Sequence, residues 1–141
     1  MSHLEYPLDV AKILRKKKLI KKELLLNDNF IDKNIALLSG STTAEIKNIL
    51  ELFLLKNGIK PKFYESEYNK YYEDALFGND ELDKFNPDII YIHTTNKNII
   101  KYPGPKDSSE DVDILLSSEI QKYKSIWREF KAFILIQNPY F

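Results

Sequence analysis

Two short polar runs carry most of the residue types able to do chemistry. The first is Ser39, Gly40, Ser41 and Thr42, within "SGSTT"; the second is His93, Thr94, Thr95 and Asn96. Hydroxyls and backbone N–H groups gathered at a helix N-terminus can hold a phosphate or carboxylate, because the helix dipole favours negative charge there. The same residues also suit a plainer task. Thr42 followed by Glu45 three residues later reads as a capping box, and Gly40 as the residue that lets the chain turn. Both readings of "SGSTT" stand on sequence. A P-loop needs G-x-x-x-x-G-K-[ST] and a dinucleotide fold G-x-G-x-x-G, and neither is present. A flavodoxin-type phosphate loop is nearer, but it would want Gly where Thr42 stands.

Three further runs are weaker candidates. "DVDIL", starting at Asp111, mimics the D-x-D-x-[TV] signature of haloacid-dehalogenase-type phosphatases, in which the paired carboxylates emerge from a buried strand. Here the run follows "PKDSSE" and opens a helix, where acidic residues favour the N-terminus in any case. "FGND", from Phe77 to Asp80, reads as a turn. The basic run Arg15 to Lys18, with Lys21 and Lys22, reads as the solvated face of a helix whose other side packs on the body. No metal site is expected. Cysteine is absent, His3 and His93 are far apart, and no acidic cluster has ligand spacing. No cofactor is implied either.

These runs must be positioned by the elements around them. Val10, Ile13, Leu14, Ile20 and Leu24 recur at helical intervals, so residues 1–28 are expected to form an N-terminal amphipathic helix that packs on this domain or on a second copy. Residues 29–141 then form an α/β domain. Ile35 to Leu38 predict a first strand, and Ile46, Ile49, Leu50, Phe53 and Leu54 a helix ending at Gly58. "IKPKFYES" predicts a second strand, with Pro61 favouring a sheet edge. After it a Tyr-rich stretch predicts one short helix and turns. "PDIIYIHTT" is apolar without alternation and predicts a third strand buried on both faces. A helix capped by Ser108 or Ser109 follows, with Val112, Leu115, Leu116, Ile120, Tyr123, Trp127 and Phe130 as its stripe, and "AFILIQNPYF" is the fourth strand.

Strands alternating with helices imply a three-layer α/β/α fold with a short, mainly parallel sheet, flavodoxin- or SGNH-like, with right-handed crossovers. Ligands of such folds lie beyond the carboxyl ends of the strands, where strand order reverses. Both polar runs fall at that edge, so they are expected to form the two walls of one polar cleft. Four strands are few for this architecture, which suggests a fragment or a small module.

The bulk properties fit one domain with a real core: 141 residues, 43% hydrophobic and 30% charged. No apolar run reaches the roughly 18 residues of a membrane span. Lys plus Arg and Asp plus Glu are equal at 21, so no overall field recruits nucleic acid. Without cysteine, and with a polar start unlike a secretory signal, a cytoplasmic protein is expected.

"KNIALLSGSTTAEI", "GIKPKFYES", "YNKYYEDAL", "FNPDIIYIHTT" and "IQNPYF" together resemble the N-terminal domain of FkbH-like proteins, a branch of the haloacid-dehalogenase superfamily found in polyketide and glycan biosynthesis. The resemblance spans about Leu24 to Phe141. It implies an SGNH-hydrolase-like fold and an adjoining HAD-like catalytic domain. In that family the full-length protein loads a glyceryl group onto an acyl carrier protein, so carrier-protein docking and a small anionic ligand are expected partners. Laid on the SGNH pattern, Ser41 matches the Ser of G-D-S after strand one and Asn96 the Asn of G-x-N-D after strand three, while the flanking positions differ. The D-x-x-H that would orient a base is missing from the chain. The expected function is therefore a non-catalytic interaction module, the alternative being a truncated SGNH-type hydrolase with Ser41 as nucleophile.

Overall fold

A computed structural model describes residues 4–130, 132 and 134–138. His3, Lys131, Phe133 and residues 139–141 lie outside the described residues, and with them His3 as a possible ligand and the Pro of "IQNPYF".

Four parallel strands form the sheet: β1 (Ile31–Ser39), β2 (Ile59–Glu65), β3 (Ile89–His93) and β4 (Ile134–Gln137), in the order β2-β1-β3-β4. Helix α1 (Val10–Leu24) precedes β1, and α2 (Ala44–Lys56) joins β1 to β2. Helices α3 (Tyr71–Phe77) and α4 (Asp80–Phe85) lie between β2 and β3, and α5 (Ser109–Glu129) between β3 and β4. The order reverses between β1 and β3, so the switch point lies between the two polar runs. The expected α/β/α layering holds, with the N-terminal helix in place.

Strand β1 is longer than its apolar run. It starts at Ile31, because Ile31, Asp32, Lys33 and Asn34 pair with Ile59, Lys60, Pro61 and Lys62 of β2. Polar residues suit that end, where β1 has only one neighbour. Pro61 sits on the edge strand, as expected, and Gly58 ends α2 at φ +77°.

One face of the sheet is sealed. Ala36, Leu38, Ile90 and Ile92 pack with Tyr71, Ala75, Leu82, Tyr123 and Ile126 of α3, α4 and α5 into one core. The other face corrects an expectation. Ile89 and Tyr91 of β3 are only half-buried there, and Ile136 of β4 is exposed. They line, with Ile35, an apolar groove of about 340 Å³ beside Ile46, Leu50 and Leu54 of α2. Helix α2 packs over the β2 side of the sheet, and α1, the next helix on that side, stacks on α2 instead of on β3 and β4.

The α1 contact is narrower than its stripe. Ile13 and Ile20 are buried with Leu52, and Leu24 is packed beside them, but Val10 and Leu14 remain 61% and 39% exposed. Lys17–Glu45 (3.1 Å) and Lys21–Glu51 (2.8 Å) tie the basic run to α2. Half-exposed pairs of this kind add little stability; the apolar seam holds the helix.

The stripe on α5 also differs. Tyr123 and Ile126 are buried and Val112 and Leu115 half-buried, whereas Leu116, Ile120 and Trp127 are exposed. In register with the buried residues are Glu119 and Lys122, so a charged pair faces inward where an aliphatic residue would pack. The Tyr-rich stretch makes two helices, not one, and Gly78 at φ +78° and Asn79 separate them. Asn79 caps α4, its side chain accepting from the Glu81 and Leu82 amides, so the turn reading of "FGND" holds.

Candidate site at the carboxyl edge of the sheet

The two polar runs leave β1 and β3 side by side. Ser39 is paired with His93, and the Gly40 N–H donates to the His93 carbonyl at 2.8 Å. Beyond that point their side chains behave differently.

In the second run nearly every polar group is committed. Thr94 is fully buried; its N–H donates to Asn138 Oδ1 (2.8 Å), its carbonyl accepts from Asn138 Nδ2 (2.7 Å), and its hydroxyl accepts from Gln137 Nε2 (3.2 Å). Thr95 opens a single 3-10 turn over Asn96–Asn98 with a capping box. The Thr95 N–H donates to Asn98 Oδ1 (2.7 Å), while Asn98 Nδ2 donates to the Gly40 carbonyl (2.9 Å) and to Asn69 Oδ1 (3.2 Å). One buried amide thus joins three loops, and Gly40 is glycine for that reason: a Cβ there would run into the Asn98 side chain. Asn96 itself is exposed, and its carbonyl accepts from the Tyr102 hydroxyl.

The first run is less determined. Ser39 is buried, donating its N–H to Ser66 Oγ (3.3 Å) and accepting the Asn69 N–H (2.7 Å). The expected Thr42–Glu45 capping box does not form. Helix α2 begins one residue later, with Thr43 at the N-cap and no side-chain hydrogen bond there; Thr42 is exposed, and Glu45 is taken by Lys17. Ser41 Oγ is buried with no hydrogen-bond partner among the described residues. A serine nucleophile needs a base within hydrogen-bond reach, and among the described residues none bonds to Ser41 Oγ; His93 Nδ1 lies 3.1 Å from the Tyr91 hydroxyl. Burial pushes the His93 pKa below its ordinary 6.5, which favours the neutral ring.

Asp111 lies in the first turn of α5 and not at a strand end. Its carboxylate accepts from the Ser108 hydroxyl (2.7 Å) and N–H (2.9 Å), completing a capping box with Ser108 as N-cap. Those bonds hold its pKa below the usual carboxylate range, the side-chain bond most. The dehalogenase-like spacing is thus accounted for by capping.

A cleft of about 430 Å³ opens beside the Asn98 junction. Its walls are the start of α3 with the residues just before it, the loop from Lys97 to Lys101, and the Ser118–Lys122 stretch of α5. Asn69, Lys97 and Asn98 reach it, but neither Ser41 nor Asn96 lines it. The structure thus brings the two runs together at one sheet edge, and the cleft at that edge is built from neighbours of the residues singled out by sequence. Asn69 and Asn98 were missed there. The signal for Asn98 was Thr95 three residues before it, a box of the kind sought at Thr42. Asn69, at φ +61°, uses the tolerance of Asn for a left-handed backbone.

Among the described residues no group of acidic and histidine side chains could hold a metal, and no helix is long and apolar enough to cross a membrane. No family model matches the chain, and no curated protein matches it. Among solved structures, the fold is similar to a crystal structure of the N-terminal part of the protein BF1531 from Bacteroides fragilis, described as containing a phosphatase domain complexed with Mg. The TM-score is 0.67 at 15% identity, covering 88% of this chain and 33% of that chain. The likeness is therefore one of fold, and this chain spans about a third of that chain's length.

Proposed function

We propose that this chain is a non-catalytic N-terminal interaction module of an FkbH-like protein, serving an adjoining HAD-like catalytic domain. The observation that carries the reading is the fold match: most of this chain is similar to one third of a chain described as the N-terminal part of a phosphatase-containing protein. The committed capping role of Asp111 and the Ser41 Oγ, without a hydrogen-bond partner among the described residues, agree with it. The apolar groove along Ile89, Tyr91 and Ile136 is then covered by the adjoining domain, since a parallel sheet is normally packed on both faces. An acyl carrier protein is the partner the resemblance implies. A small anion would sit at the start of α2, on the N–H groups of Ser41, Thr42 and Thr43, in a cytoplasmic protein.

The test is turnover by the chain itself. Nitrophenyl phosphate and nitrophenyl acetate should be hydrolysed no faster than in buffer. Hydrolysis that disappears in Ser41→Ala or Asp111→Asn would instead assign the chemistry to this chain.

A further inference from the structure

The charged pair on the inward stripe of α5 has no structural explanation. Glu119 and Lys122 stand in register with Leu115, Tyr123 and Ile126, and removing charges from water there is costly unless they are well paired. They are poorly paired: Lys122 Nζ lies 3.8 Å from Glu119 Oε1, beyond a hydrogen bond, and that oxygen is buried without a hydrogen-bond partner among the described residues. Lys122 lies 5.3 Å from the Tyr72 ring and 5.5 Å from the Tyr123 ring, which holds the ammonium but leaves Glu119 Oε1 lacking a donor. Both residues line the cleft beside Asn98.

The rest of that cleft has two further characters. On the loop after β3, Lys97 and Lys101 make no ion pair among the described residues. In the same lining, Tyr68 and Ile100 leave 69% and 78% of their surface exposed, and Tyr72 is partly exposed. Tyr71, deeper in the wall, is neutral; burial and then the Glu119 charge push its pKa up to about 12. Glu73, on the α3 side, is the second acid of the lining.

We propose that the cleft between the start of α3, the Lys97–Lys101 loop and α5 binds an anionic sugar or polyol. Its phosphate or carboxylate is held by Lys97 and Lys101, a hydroxyl donates to Glu119, and its carbon face lies on Tyr68 and Tyr72. Each part answers one feature: two cations without an ion pair attract an anion, the part-exposed Glu119 carboxylate in the cleft wall, poorly paired with Lys122, takes a hydroxyl, and exposed aromatic faces take C–H surface. The size suits the class, since about 430 Å³ lies within the usual range of small-molecule pockets. The proposal stands whether or not an adjoining domain exists.

The test is a titration of the isotopically labelled full chain, followed by amide shifts, with glucose 6-phosphate and glucuronate as the two anion sources and with glucose and inorganic phosphate as the separated halves. At least one of the two anionic sugars should move amides of residues 69–73 and 97–101 and bind at least tenfold more tightly than glucose or phosphate. Lys101→Gln should weaken the anionic sugar about tenfold and leave glucose unchanged. Glu119→Gln should weaken both sugars and leave phosphate unchanged. Both variants should keep the parent melting temperature. The proposal is overturned if no sugar moves these amides at millimolar concentration, if phosphate binds as tightly as the anionic sugar, or if Glu119→Gln binds like the parent.

Discussion

The loops after β1 and β3 are joined by a hydrogen bond between Gly40 and His93 and are made of the same residue types, yet they differ in how fully those residues are used. After β3, Thr94 and Asn98 are each tied to partners across the fold, Thr94 to Asn138 and Gln137 and Asn98 to Gly40 and Asn69, and Thr95 is tied to Asn98 within the turn. After β1, Thr42 is exposed, Ser41 Oγ is without a partner, and the first turn of α2 has no side-chain cap. Hydroxyl and amide residues at a sheet edge therefore do not announce a site by type alone. Where they satisfy one another they are scaffold, and where they leave donors over they are available to something else. Buried polar groups are nearly always paired, so the unpaired ones are the informative ones.

The sharpest way to break this contrast is Asn98→Ala. It strands the Gly40 carbonyl, the Thr95 N–H and the Asn69 Oδ1 at once, and it should cost about 3 kcal/mol in urea unfolding, by the usual penalty for buried groups left without partners. Asn96→Ala, two residues away and exposed, should cost less than about 0.5 kcal/mol. Equal losses in the two variants would show that the 3-10 turn, and not the Asn98 network, carries the stability.

A second and smaller effect concerns Thr94. Thr94→Val keeps the shape and removes the hydroxyl that accepts from Gln137; the expected loss is about 1 kcal/mol. Because Gln137 also accepts from Trp127 (2.6 Å), the indole fluorescence should shift with it. An unchanged spectrum and unchanged stability would mean that the hydroxyl is not part of the scaffold.

The pH dependence probes His93 at the foot of both loops. Its folded pKa lies below the ordinary 6.5 because of burial, so below 6.5 the unfolded chain binds the proton more readily than the folded one. Stability is then fully present above pH 6.5 and declines as pH falls through that value toward the lower folded pKa. His93→Gln should flatten the slope in that window. If the slope is the same without the imidazole, another group titrates there.

The smallest effects are expected after β1. Thr42→Ala should change stability by less than about 0.5 kcal/mol, since this threonine caps nothing. Ser41→Ala, which removes a buried hydroxyl that lacks a partner, should be neutral or stabilising by up to about 1 kcal/mol. A loss of about 1 kcal/mol at Thr42 would restore the capping box that the sequence pattern suggested.

The order of strands and helices was legible from apolar runs and spacing, as in the strand, loop, helix and strand around residues 35–65. The edge position of Pro61 followed from its missing N–H, and Ser108 is one of the two serines the sequence offered as the cap of α5. The α2 cap lies one residue beyond the one the sequence favours, because Glu45 at the box spacing from Thr42 is withdrawn by Lys17, which is distant in sequence. The α5 stripe was missed for a different reason. Leu116, Ile120 and Trp127 outscore Glu119 and Lys122 on apolarity, and only the packed helix reveals which side is inward. The open groove beside β3 and β4 also depends on which strands α2 covers, a tertiary fact that a continuous apolar strand cannot report.

Native-state hydrogen exchange measures the contrast between the two loops directly. The amides of Gly40, Asn69, Thr94 and Thr95 each donate to a described partner, whereas those of Ser41, Thr42 and Thr43 donate to none among the described residues. The first group should exchange at least a hundredfold more slowly than the second, after correction for intrinsic rates, and a bound anion at the start of α2 should slow only the second. Comparable exchange in both groups would contradict the account, leaving no basis for treating one loop as scaffold and the other as open to a ligand.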